Sequence, residues 1–132
     1  MEQIDSSNYV EKVLRTESID FEKIRDRIRG NGALRLLHAS EGMQTESAEF
    51  TDMLKKHLFY GKEFNRANAI EEVGDLMWYV GVACDELGVS LDSILQMNIE
   101  KLAKRYPNKF TEEDAINRNV EHEMSHIEAK AK

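Results

Sequence analysis

The sequence predicts an all-α protein, and three observations carry that expectation. Its 132 residues include one proline and seven glycines, while Ala, Leu, Glu and Lys, all strong helix formers, are plentiful. Apolar residues recur at three- and four-residue spacing over long windows rather than in strict alternation. The breaks between those windows hold residues that stop or start helices, among them Gly61, Gly88, Ser90 and Pro107.

Taken in order, residues 6–16 and 20–29 read as short helices. Their apolar faces are Val10, Val13 and Leu14, then Phe21, Ile24 and Ile28. Asn31-Gly32 breaks the pattern. A long helix then runs from about Ala33 to Leu58, with Leu36, Met43, Phe50, Leu54 and Leu58 at helical spacing and Ser40 and Ser47 in the same stripe. Tyr60-Gly61-Lys62 closes it. Asn65 is a natural N-cap for a helix over 66–87, whose stripe is Ile70, Val73, Met77, Val80, Cys84 and Leu87. The pair Trp78 and Tyr79, in so apolar a helix, is expected in the core. Ser90 caps a helix over 91–106 lined by Leu91, Leu95, Ile99 and Leu102, with Asp92 in its first turn. Pro107 stops it.

Thr111 with Asp114 resembles a capping box for one last polar helix, carrying the thin stripe Ile116, Val120, Met124 and Ile127. That stripe is expected to lie across a neighbouring subunit or to fray rather than to form core. A four-helix core is the economical packing, and a chain this short with such apolar central helices is expected to form oligomers that cover them.

A net charge of −7 argues against a nucleic-acid partner, which calls for a basic face. No apolar run approaches the ~18 residues that span a bilayer, and the N-terminal stretch has no apolar signal core. The lone Cys84 leaves no internal disulfide and fits a reducing cytosol. A cytoplasmic protein without a membrane partner is the expectation.

The most informative stretch is VGDLMWYVGVAC, residues 73–84, in which Asp75 is the only charge. A charge in such surroundings is costly unless a cation or hydrogen bonds compensate it. Glu72, three positions earlier, shares its face, whereas Glu71 points about 100° away. On the preceding long helix Glu46 and Glu49 repeat the spacing. Antiparallel packing of the two helices would bring four carboxylates together, and a hard divalent cation is the natural neutraliser. The absence of His or Cys from the set favours Mg²⁺ or Mn²⁺ over Zn²⁺. Glu-x-x-acid pairs arise about three times by chance in a chain this acidic, so the apolar setting of Glu72 and Asp75 is what gives the pattern weight. Asn98, Lys101 and Arg105 line one face of the following helix. An amide, an ammonium and a guanidinium in a row suit a polyphosphate, although a solvated face is the plainer alternative.

The stretch LLHASEGMQTESAEF, followed after a spacer by EEVGDLMWYV, resembles the MazG-like nucleotide pyrophosphohydrolases of the all-α NTP pyrophosphatase superfamily. Leu37-His38-Ala39, Lys55-Lys56, Tyr60-Gly61-Lys62 and NIEKLAKRYPNKF resemble short, phage-type, single-domain members. The likeness extends over about residues 9–118. It implies residues 1–110 as the catalytic domain and 111–132 as a helical tail. It also implies hydrolysis of a nucleoside triphosphate to monophosphate and pyrophosphate, with Mg²⁺ (or Mn²⁺) held by Glu46, Glu49, Glu72 and Asp75. Glu46 would be a ligand or the general base. Asn98, Lys101 and Arg105 would steady the phosphates, helped by Lys55 or Lys56. His38, near the start of the long helix, is a candidate for contacting the nucleotide, with a partly buried histidine making one hydrogen bond as the plainer alternative. A homodimer or homotetramer is implied, and the expected substrate is a purine triphosphate such as (d)GTP or dATP.

Three rivals stand beside this. A dUTPase, a dCTPase or a phosphoribosyl-ATP pyrophosphohydrolase is close kin within the superfamily. A non-enzymatic four-helix interaction protein would carry the same acids as surface charge. A ferritin-like di-metal protein needs Glu-x-x-His pairs, and neither acidic pair contains a His. HEMSH at 122–126 fits the His-Glu-x-x-His zinc pattern, but it lies on a polar helix too thin to build a dry cavity.

Overall fold

The structure is a computed structural model that describes residues 3–30 and 32–131. Asn31, half of the expected break before the long helix, lies outside the described residues. Among the described residues seven helices follow in chain order: α1 (Tyr9–Leu14), α2 (Phe21–Gly30), α3 (Ala33–Tyr60), α4 (Arg66–Leu87), α5 (Leu91–Arg105), α6 (Glu112–Ile116) and α7 (Val120–Lys130). There is no strand among the described residues, as the all-α reading expects. No helix among them is long and apolar enough to cross a membrane.

The chain divides into two compact units, Met1–Leu34 and Arg35–Lys132. In the first, α2 starts where Asp20 accepts the Lys23 backbone N–H at 3.2 Å. Neither α1 nor α2 has a buried residue, and Val10, Val13, Leu14 and Phe21 are all exposed.

The second unit is organised by α3 and α4, which run antiparallel. Arg35, near the start of α3, reaches Asp85 at 2.6 Å and Glu86 at 3.2 Å near the end of α4. Further along, the His38 ring meets Tyr79 edge-on at 5.7 Å. Gly42 then lies flat against the same tyrosine, so that a Cβ there would overlap the ring. Only a side chain of one hydrogen allows this approach. Asn65 caps α4 by accepting the Asn68 N–H at 3.1 Å. At the other end Val89 N–H donates to Cys84 C=O and Gly88 N–H to Asp85 C=O, both at 3.1 Å, the paired bonds that end helices at glycine.

Two expectations about faces need correction. On α3 the buried positions are Ala39, Gly42 and Met53, not the stripe from Leu36 to Leu58. On α4 they are Glu72 and Cys84, while Ile70, Val73, Met77 and Leu87 stay exposed and Trp78 is 60% exposed. Gly42 of α3 lies against Tyr79 and Glu72 is buried, while much of the apolar stripe of α4 stays uncovered. Trp78 is a surface residue of the chain rather than core.

The tail is also not one helix. Thr111 caps α6, accepting the Asp114 N–H at 3.1 Å as its spacing predicts, but α6 ends at Ile116. Asn119 then starts α7 by accepting the His122 N–H at 3.0 Å. Two Asn residues around Arg118 compete for backbone hydrogen bonds, which breaks helices. α7 packs against α5 of its own chain. Glu123, buried on α7, takes Arg105 through Nε at 2.7 Å and its NH2 nitrogen at 2.6 Å, and Arg118 at 2.9 Å. His126 and Lys130 both reach Glu100, at 3.0 and 2.7 Å.

Candidate metal centre

The α3–α4 seam changes character one turn beyond the Gly42–Tyr79 contact. Glu46 follows Gly42 by four residues on α3, and Glu72 and Asp75 stand on the facing turn of α4. Glu46, Glu72 and Asp75 each offer a carboxylate oxygen, and the three oxygens lie within 4.8 Å of one another. Glu72 is only 7% exposed, Glu46 is half-buried and Asp75 faces solvent. Burial, then the charges of Glu49, Asp75 and Glu72, push the Glu46 carboxyl above its ordinary value. No lysine or arginine pairs with these three carboxylates among the described residues. A crowded set of oxygens without a paired cation suits a hard divalent ion.

Glu72 is held in place. Asn68, one turn earlier on α4, donates its amide to Glu72 Oε1 at 2.6 Å. Glu49 opens onto a neighbouring cavity of about 650 Å³, lined also by Asp52, Lys56, Lys62, Asn68 and Glu72. Within it Asp52 bonds Lys56 at 2.5 Å, which holds the Asp52 carboxyl below its ordinary value and Lys56 above its own. On the far side of Glu72 a second, apolar cavity of about 300 Å³ is bounded by Glu46, Phe50, Val73 and Leu76.

The remaining residues singled out in the sequence lie elsewhere. Lys55 is drawn to Asp52 at 3.7 Å, with its ammonium 5.7 Å from the Tyr60 ring. His38 is exposed on the Tyr79 edge. Asn98 and Lys101 line a separate, mostly apolar cavity of about 400 Å³ with Met97 and Ile127. Arg105 is taken by Glu123, which keeps its guanidinium above the ordinary value. None of these three α5 side chains lines the cavity that holds Glu49 and Glu72. Glu71 is exposed and outside the cluster. In HEMSH, Glu123 and His126 are engaged by Arg105 and Glu100 rather than turned to a common point.

Sequence reasoning missed Asn68, Asp52 and Lys62. Asn68 was detectable, since it stands four residues before Glu72 and so shares its face. Lys62 carries no such signal, because a loop residue has no helical phase.

These features define an all-helical scaffold with an acidic centre, and comparison with known proteins gives its family. The profile of the MazG nucleotide pyrophosphohydrolase domain matches residues 37–110. The chain belongs to that family. It is also similar to the Gene 37 protein of Mycobacterium phage L5, with 32% identity over 74 residues, 53% of this chain and 65% of the relative. The chain thus spans just under two thirds of that relative's length. No solved structure matches.

Proposed function

We propose that this chain hydrolyses a nucleoside or deoxynucleoside triphosphate to the monophosphate and pyrophosphate at the α3–α4 seam. The observation that carries the proposal is the convergence of Glu46, Glu72 and Asp75 within 4.8 Å. Glu72 and Asp75 would hold a divalent cation, Mg²⁺ or Mn²⁺, together with Glu46 or Glu49. Bound there, the ion supplies Lewis acidity, drawing charge from the phosphoryl oxygens and making water a better nucleophile.

The chain's own groups divide the remaining work. Asn68 keeps Glu72 aimed by bonding one of its two oxygens, leaving the other for the ion. Glu46, with a carboxyl made more basic by burial and by its neighbours, suits the general base that takes the proton from attacking water. Water adds to phosphorus, the anhydride between the α- and β-phosphates breaks, and its bridging oxygen leaves with pyrophosphate. Lys56 also lines this cavity, its ammonium held by Asp52.

Homo-oligomerisation is part of the same proposal, supported by the uncovered apolar stripe of α4. Asn98, Lys101 and Arg105 would then serve phosphates at a site shared between subunits, in the host-cell cytoplasm where triphosphates are found. The preferred base is expected to be a purine.

A panel of ribo- and deoxynucleoside triphosphates with Mg²⁺ or Mn²⁺, its products resolved by chromatography, tests this. Asp75→Asn, run alongside, is expected to lower turnover at least about a hundredfold. No turnover by a folded, metal-supplied protein would leave an interaction module.

A further inference from the structure

The cavity beside the acidic centre is electrically lopsided. Glu49, Asp52, Glu63 and Glu72 put four carboxylates on its walls, and Lys56 and Lys62 are its two cations. A triphosphate reaching out from the centre would meet repulsion there unless a free cation received it. Lys56 is not free, since Asp52 holds it at 2.5 Å. Lys62 has no ion pair among the described residues.

The chain also presents Lys62 by construction. Gly61 adopts the left-handed conformation at φ 68°, which turns the chain sharply at the end of α3. Lys62 N–H then donates back to Lys56 C=O at 3.2 Å. The His57 ring bonds Lys62 C=O through Nδ1 at 2.7 Å, and its other face meets Phe64 at 5.7 Å. Lys62 therefore has a backbone tethered on both its amide and its carbonyl, and with no ion pair of its own among the described residues it lines the cavity. An ordinary solvated loop lysine has neither tether.

We propose that Lys62 binds phosphate at this site, receiving the pyrophosphate end of the triphosphate in the bend between α3 and α4. This rests on the hydrolase function proposed above and adds a direction to it: the phosphates run from Glu72 towards the bend, and the nucleoside leaves on the opposite side. An ammonium is a compact point charge suited to several phosphate oxygens in turn, as a departing pyrophosphate requires.

The test compares the full chain with Lys62→Gln and Lys62→Arg in three measurements: steady-state hydrolysis, calorimetric binding of Mg²⁺-pyrophosphate, and Mn²⁺ binding by electron paramagnetic resonance. Lys62 is exposed, and circular dichroism with a melting curve verifies that both variants fold. In Lys62→Gln the KM for triphosphate and the Kd for Mg²⁺-pyrophosphate should each rise about tenfold or more. Lys62→Arg should recover part of the loss, and Mn²⁺ affinity should stay within about twofold, because Lys62 belongs to the phosphates and not to the ion. Unchanged KM and Kd in an active Lys62→Gln overturn the proposal while leaving the hydrolase intact. A loss of Mn²⁺ affinity equal to the loss of pyrophosphate affinity overturns it too, since Lys62 would then only shape the acidic centre. A wild-type protein that neither turns over triphosphates nor binds Mg²⁺-pyrophosphate removes the hydrolase function and this proposal together.

Discussion

Asn68 donates its side-chain amide to Glu72 Oε1 at 2.6 Å, one turn away on α4. Glu72 is almost wholly buried, so an ionised carboxylate there depends on this donor or on a cation. The amide also limits which Glu72 oxygen is open to an ion. Asn68→Ala should weaken Mn²⁺ binding by about 10–100-fold, the usual effect of losing a group that orients a ligand. Titration followed by electron paramagnetic resonance, without substrate, reads this directly; wild-type affinity in the variant would show that Glu72 needs no support.

Gly42 on α3 lies against the Tyr79 ring of α4. A methyl at this position overlaps the Tyr79 ring, so Gly42→Ala should cost about 1–3 kcal/mol as the helices part or the ring swings out. Urea unfolding monitored by circular dichroism gives the value. The Glu46–Asp75 spacing depends on the same seam, and turnover should fall with stability.

The crowded acids leave a pH signature in the metal-free protein. Glu46 has its carboxyl raised, so it holds its proton more tightly when folded than when unfolded. Its ionisation therefore costs stability, a cost absent well below the ordinary value of 4.5 and complete above the raised one. Glu46→Gln should raise Tm at neutral pH and leave it little changed near pH 4. Saturating Mg²⁺ should erase the difference. Differential scanning calorimetry with and without the ion is the measurement.

The α5–α7 contact behaves oppositely. Bonds from Lys130 and then Gln96 lower Glu100 to about 2 from its ordinary 4.5, and Arg105 first of all lowers Glu123. A lowered carboxyl contributes stability that is full above about pH 4.5 and lost as pH falls towards 2. Amide exchange in α7 should therefore accelerate over that window, ahead of exchange in α3 and α4. Glu123→Gln should bring the faster exchange to neutral pH, because Arg105 and Arg118 lose their shared anion.

The exposed stripe of Ile70, Val73 and Met77 predicts association at micromolar concentration. Sedimentation of the wild type should show a dimer or larger species, and Val73→Glu should shift it towards monomer. A wild-type monomer under these conditions would mean the stripe needs no partner.

Much was legible in the residues alone. The long central helices began and ended within about two residues of their expected bounds, because Asn65, Gly88, Ser90 and Thr111 act on the backbone next to them. Of the four carboxylates expected to converge, Glu46, Glu72 and Asp75 come together as their helical phase suggests, while Glu49 opens onto the neighbouring cavity. The tertiary structure decided which arc of each helix meets its neighbour. Apolar periodicity pointed to Val73 and Met77 on α4, yet both stay exposed, while Glu72 is buried and Tyr79 meets Gly42. It also decided that Arg105 is taken by Glu123, eighteen residues later, and that Lys62 and Asn68 join the site. Helical spacing records only angles around one axis, whereas contacts across axes depend on how closely two surfaces can approach, and that is a property of both helices together.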